Sequence, residues 1–256
     1  NEALFRAHIR VLDECNQRGG RMLSFVDLIT AGTVDLPLAA YLSAAMRSGA
    51  SLLVGARPGG AGKTTVMCAL LNFLPDDTIL RPVASRTAPE SGQRNAPPGR
   101  ICTLAHEIGS GPYYAYVWGN EARAFFRLAA QGHLIASNLH ADTLEETRDR
   151  LCGENGVPET HLNAVTLKVY LRVERTGGGR MRRWVQSVYE SDGTRDRLLW
   201  TRDERGVFIR RESTDSVLVS PDQENACSEF LTTLLRQDIR RIEDVRRALI
   251  QGIGEE

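Results

Sequence analysis

Hydrophobic and polar positions change period several times along this chain, and each change marks an expected element. Leu4, Ile9, Val11 and Leu12 stand against Arg6, Arg10, Asp13 and Glu14, which predicts an amphipathic helix over 3–17, ended by Gly19-Gly20. A second helix is predicted over 36–48, with Pro37 in its first turn, Leu38, Leu42 and Met46 four residues apart, and Gly49 past its end. The apolar run 51–56 reads as a buried parallel strand, followed by a Gly-rich turn and a helix from Lys63 to Leu74. Strands are expected at 78–83, 101–105 and 134–139, with helices at 120–131 and 143–152, the latter opened by Asp142 and Glu145 as a capping box. From Val165 the period becomes two, which predicts a strand buried on one face and a switch to antiparallel sheet. Segments 180–190 and 196–211, punctuated by glycine turns, continue it as hairpin strands. Phe230, Leu231, Leu234 and Leu235, then Ile242, Val245, Leu249 and Ile250, line two helical stripes in the tail.

The turn after 51–56 carries the chemistry. Gly59-Gly60-Ala61-Gly62-Lys63-Thr64-Thr65 lies between a strand and a helix, the context in which a glycine loop turns its N–H groups around phosphate oxygens. Lys63 is expected on the β- and γ-phosphates, Thr64 on Mg²⁺, and Thr65 behind the loop, so ATP with Mg²⁺ is the expected cofactor pair. The place usually held by the first glycine of such loops is Arg57. A hydrolase also needs a carboxylate at the end of a neighbouring strand. Glu107, closing the run Ile101-Cys102-Thr103-Leu104-Ala105-His106, is one candidate, and Glu121, after Gly119-Asn120, is the other. His140 follows the strand 134–139 at the end that faces ligands in parallel sheets, where it can report a γ-phosphate.

The predicted fold class is therefore α/β: a P-loop NTPase (RecA-like) core with a mostly parallel sheet, an antiparallel hairpin extension and a small helical C-terminal tail. Residues 1–20 are expected to form an N-terminal helix or the remnant of a missing domain, 21–215 the core with its extension, and 216–256 the tail. The Pro-rich polar stretch 85–100 is long for a connection inside a domain and is expected at an interface or in disorder.

Composition narrows the partners. Lys and Arg number 32 and Asp and Glu 32, so no net field draws the protein to nucleic acid or to an anionic membrane. No apolar run approaches the roughly 18 residues of a membrane helix, and direct membrane insertion is not expected. The five cysteines form no C-x-x-C pair, which argues against a zinc site or a disulfide framework and fits a cytoplasmic location. Nearly all the positive charge is arginine; Lys63 and Lys168 are the lysines.

Taken in order, Phe25-Val26-Asp27-Leu28-Ile29, Gly32-Thr33, a helix, the phosphate loop, Gly132-His133 and Asn138-Leu139-His140-Ala141-Asp142 resemble the secretion ATPases of the type II and type IV secretion and pilus superfamily, especially its compact archaeal-like members. The resemblance spans roughly residues 24–190. It places Gly132, His133, Leu139 and His140 in the family's His box. The Walker B carboxylate usually sits in a Gly-Glu-Ile-Arg-Asp run; here His106-Glu107-Ile108-Gly109-Ser110 lacks the Arg and the Asp, while Gly119-Asn120-Glu121-Ala122-Arg123 supplies Gly, Glu and Arg with one residue inserted. The acidic Asp box expected after the first helix of the core has no carboxylate in Pro82-Val83-Ala84; if Glu107 belongs to it, Glu121 becomes the catalytic candidate. The resemblance further implies a homohexameric ring, peripheral to the membrane through an inner-membrane secretion or pilus platform protein, with a neighbour's arginine completing each site. Arg86, Arg94, Arg100 and Arg123 are the arginine candidates. The expected function is an ATP-hydrolysing motor subunit; the alternative is an ATP-binding assembly scaffold with little or no hydrolysis. A small-molecule phosphotransferase would share the loop but lacks a lid or acceptor signature.

Overall fold

The computed structural model describes residues 2–16, 19–83, 99–211 and 215–252. The described strands join one sheet of nine, in which six run parallel and three continue it antiparallel. The parallel set is β2 (Ile79–Pro82), β3 (Ile101–Ile108), β5 (Leu134–Leu139), β1 (Leu52–Gly55) and β6 (Leu167–Arg175), in that spatial order, with the short β4 (Tyr116–Val117) beside β3. Beyond β6 the sheet continues antiparallel through β7 (Met181–Ser191), β8 (Asp196–Arg202) and β9 (Phe208–Arg210). β1 is thus flanked by strands that arrive much later in the chain. The crevice beyond its carboxyl end is the place where open α/β sheets hold ligands.

Helices cover both faces of the parallel part, which is why its strands read as unbroken apolar runs. Leu52 and Val54 pack on one side with α1 (Glu2–Glu14), α2 (Phe25–Thr30), α3 (Leu36–Arg47), α4 (Lys63–Leu71), α8 (Pro221–Arg236) and α9 (Ile242–Gln251). Leu53, between them, packs on the other with α5 (Asn120–Ala130), α7 (Glu159–Asn163) and the π-helical turn Asp149–Glu154 that extends α6 (Leu144–Arg148). Phe25 and Phe73, both fully buried, meet edge to face at 5.8 Å; each such side chain contributes about 1.5–3 kcal/mol of burial. Val11 and Leu12 of α1 and Leu231, Leu234 and Val245 of the C-terminal helices join the same core as α4. Arg246 of α9 is buried with its guanidinium on the carbonyls of Asn72, Leu74 and Pro75, which end the helix of the phosphate loop.

Several expectations change in detail. The helix expected at 143–152 begins one residue later than the Asp142/Glu145 capping box would place it. Thr143 is the N-cap, its hydroxyl accepting from Glu146 N–H at 3.2 Å, because the Asp142 carboxylate is taken by the N–H of Arg57 at 2.7 Å. β6 is buried on both faces from Leu167 to Leu171 and only then turns outward. It pairs parallel with β1 on one side and antiparallel with β7 on the other, so its polar alternates lie inside and need partners. Lys168 finds Asp196 at 2.6 Å and Tyr170 finds the Thr147 hydroxyl at 2.7 Å. Predicted strand 78–83 is observed as the edge strand β2, a position that tolerates Pro82. Most of the 85–100 segment lies outside the described residues. α2 and α7 have no counterpart in the predicted elements.

Candidate active site around the phosphate loop

Gly62 adopts φ 92° and hands the chain to α4; Gly60 has φ 81°. Val66 N–H is the first to close onto the helix, on the Gly62 carbonyl at 3.0 Å. The N–H groups of Lys63, Thr64 and Thr65 precede it and have no intrahelical acceptor, as at any helix start. Together with the helix dipole they present the positive end of α4 to the cleft. That cleft, of about 1030 Å³, is lined by the loop, by His106, Glu107 and His140 at the ends of β3 and β5, by Arg21, Met22, Leu28 and Thr33 near the chain start and by the β6–β7 hairpin.

Arg57, standing where a glycine is usual, needs no glycine here, since it is not among the residues with positive φ. Its N–H bonds Asp142 and its guanidinium grips Glu146 through Nε at 3.0 Å and a terminal nitrogen at 2.6 Å. Gly55 is where close approach does demand glycine: a Cβ there would stand 2.5 Å from the Ala141 carbonyl and 2.6 Å from the Tyr170 ring.

Lys63 is buried. Its Nζ donates to the Ala56 carbonyl at 3.2 Å and lies 3.5 Å from Glu107 Oε2. Burial lowers the Lys63 pKa and Glu107 counteracts it; burial raises the Glu107 pKa, and Lys63 and His140 counteract that. Both groups are thus held away from their ordinary protonation balance by desolvation. Glu107 reaches this position through a β-bulge. Between the β3–β5 pairs Ala105↔Ser137 and Ile108↔Leu139, β3 has one residue more than β5, and the extra residue re-aims the side chain at the strand end. Its Oε1 is buried and has no hydrogen-bond partner among the described residues.

His140 stands beside this pair. Nδ1 lies 2.9 Å from the Arg57 carbonyl, which can only accept, so Nδ1 carries the proton and its 3.4 Å approach to Lys63 Nζ sets two donors side by side. Nε2 faces Glu107 Oε2 at 4.0 Å. Asn138, fully buried on β5, donates to Thr64 Oγ1 at 3.2 Å and to the His106 carbonyl at 2.9 Å. One lone pair of the Thr64 hydroxyl is so occupied and the other remains for a hard cation. The donor set suits Mg²⁺: one hydroxyl beside a carboxylate with an orphaned oxygen, the rest of the shell left to phosphate and water.

The other candidates fall elsewhere. Glu121 is exposed in the first turn of α5 and does not line the cleft. Arg123 donates to the Asn155 carbonyl at 2.6 Å and to Asn120 Oδ1, fastening α5 to the end of the π-helical turn. Gly132 and His133 precede β5 and His140 follows it, so the whole strand, about 20 Å at 3.3 Å per residue, separates the two histidines. Arg100 is at the base of β3, paired with Asp77 at 3.2 Å; Arg86 and Arg94 lie outside the described residues. Two residues at the site, Asn138 buried behind the cleft and Arg183 lining it, carry no role in the sequence reading. Asn138 is a polar residue inside an apolar strand, which is a usable signal. Arg183, whose Nε donates to the Gly60 carbonyl at 2.8 Å, has no local signature.

Solved structures similar to this chain include secretion ATPases. The VirB11 ATPase of the Brucella suis type IV secretion system, in complex with sulphate, is 22% identical over 66% of this chain and 55% of its own, with a TM-score of 0.43. The ATPase DotB of Legionella pneumophila is 14% identical over 93% of this chain and 65% of its own (TM-score 0.42). DotB of Yersinia pseudotuberculosis is 9% identical over 89% and 60% (TM-score 0.39). The chain therefore spans about 55–65% of the length of these structures. No family model and no curated protein matches it. No helix among the described residues is long and apolar enough to cross a membrane.

Proposed function

We propose that this protein is a Mg²⁺-dependent ATPase that turns hydrolysis into movement, as a motor subunit of a type II/type IV-like secretion or pilus system. One observation carries the hydrolase reading: Lys63, Glu107 and His140 converge at the carboxyl ends of the central strands, on the open N-terminus of α4. The lysine and the loop amides hold the triphosphate. Thr64, oriented by Asn138, would hold Mg²⁺, which would supply charge neutralisation at the phosphates. Glu107, desolvated and with a free oxygen, accepts a proton from the attacking water and directs it at the γ-phosphorus. His140 contributes an imidazole edge: Nδ1 donates to the Arg57 carbonyl, and Nε2, when the ring carries its second proton, donates to the terminal phosphate.

The motor part of the reading is supported by the sequence resemblance to secretion ATPases, and with it come a homohexameric ring, an arginine from the neighbouring subunit, and an inner-membrane platform as partner. Phosphate release from ATP by purified protein, with and without Mg²⁺, tests the hydrolase. Lys63→Ala should abolish both binding and turnover. A wild-type chain that binds ATP but never turns it over would support the assembly scaffold instead, and unchanged turnover in Lys63→Ala would refute the site.

A further inference from the structure

The antiparallel extension delivers Arg183 of β7 to the phosphate loop across 123 residues of chain. Its Nε donates to the Gly60 carbonyl at 2.8 Å, while the N–H of the same peptide unit, that of Ala61, donates to the Pro58 carbonyl at 3.3 Å. Both edges of that peptide plane are therefore fixed, one by the local turn and the other by the arginine. The stem lies against the loop as well: a Cβ on Gly62 would stand 3.4 Å from Arg183 Cδ.

A guanidinium has five donors, and Arg183 spends one of them on Gly60. Among the described residues it has no carboxylate partner, unlike Arg57 with Glu146 or Arg210 with Glu224. It nevertheless lines the same cleft as Lys63 and Thr64. An uncompensated planar cation beside a helix N-terminus matches phosphate oxygens, which take guanidinium in pairs.

We propose that Arg183 is a positioning residue for the phosphate loop and a direct ligand of the bound polyphosphate, supplied within the same chain by the hairpin extension. Nε holds the Gly60 carbonyl outward, keeping the turn 58–61 and the start of α4 in register, and the terminal amino groups meet the phosphates. This deepens the nucleotide reading of the cleft and rests on it.

Titration of the full chain with ADP and with a non-hydrolysable ATP analogue in Mg²⁺, for wild type and for Arg183→Ala, Arg183→Gln and Arg183→Lys, tests it. Arg183→Ala and Arg183→Gln should weaken both ligands by about tenfold or more. Arg183→Lys, which keeps the charge but not the fork, should fall between them and wild type. In turnover assays KM should rise by a similar factor while kcat stays within about threefold, the signature of lost uniform binding. Thermal unfolding without ligand reads any purely structural role; should the alanine variant unfold, the lysine and glutamine variants carry the comparison. Affinities of Arg183→Ala and Arg183→Gln within about twofold of a wild type that binds nucleotide would overturn the inference. A wild type that binds neither ligand would instead overturn the nucleotide reading itself.

Discussion

Replacing Glu107 by glutamine separates binding from chemistry at this site. The amide has the carboxylate's shape, so the bulge and the loop keep their geometry. Oε2 lies 3.5 Å from Lys63 Nζ, and two unit charges at that distance attract by about 5 kcal/mol at an effective dielectric constant of about 20. Desolvation opposes this attraction, as the raised Glu107 and lowered Lys63 pKa values indicate. The net worth of such a charged hydrogen bond is about 1.5–3 kcal/mol. An incoming triphosphate has to draw Lys63 away from Glu107 and then sit beside that second negative charge. Glutamine removes the competitor and the repulsion, so ATP should bind about tenfold tighter, a gain of about 1.4 kcal/mol. Turnover should fall about 10²- to 10⁴-fold, since the group that accepts the water's proton is gone. Fluorescent-nucleotide titration reads the first effect and phosphate release at saturating ATP the second. Turnover within threefold of wild type would refute the role of Glu107, and loss of turnover in Glu121→Gln alone would transfer it to Glu121.

Two further expectations concern stability. Burial, aided by the charge of Arg246, pushes the His8 pKa down to about 3 from an ordinary 6.5; the unfolded chain then binds a proton below pH 6.5 that the folded one refuses. This group's contribution therefore declines as pH falls from 6.5 towards 3, by about 1.4 kcal/mol per pH unit. Urea unfolding at pH 7.5, 6 and 5 should show a steeper loss for wild type than for His8→Leu, and parallel curves would contradict the assignment. Gly55→Ala should cost about 3 kcal/mol or prevent folding, because the added methyl meets backbone at Ala141 and the Tyr170 ring; a shift below about 0.5 kcal/mol in the same assay would show that β1 and β6 yield more than their packing implies.

Much of the local structure was legible in the chain. Helical spacing in 36–48 and the unbroken apolar run before the glycines specify α3, β1 and the loop between β1 and α4, since periods of 3.6 and 2 and the positive φ of Gly60 and Gly62 are properties of short windows. The antiparallel strands that follow β6 were legible from their glycine turns, although β6 itself pairs parallel with β1. Capping near 142 was not, because the Asp142 carboxylate is drawn off by Arg57, 85 residues away in the chain. Nor was the burial of β6, where Lys168 and Tyr170 look like solvent-facing alternates until Asp196 and Thr147 arrive to pair with them.

The sequence by itself determined that a phosphate-binding loop exists and which side chains it carries, because strand, glycines, lysine and helix are contiguous. Only the tertiary structure decided what faces that loop. Sheet order sets β3 and β5 beside β1, the bulge at 105–108 turns Glu107 inward while Glu121 stays exposed at the start of α5, and the hairpin brings Arg183 onto Gly60. Those encounters are fixed by strand pairing between distant segments, and no window of neighbouring residues encodes them.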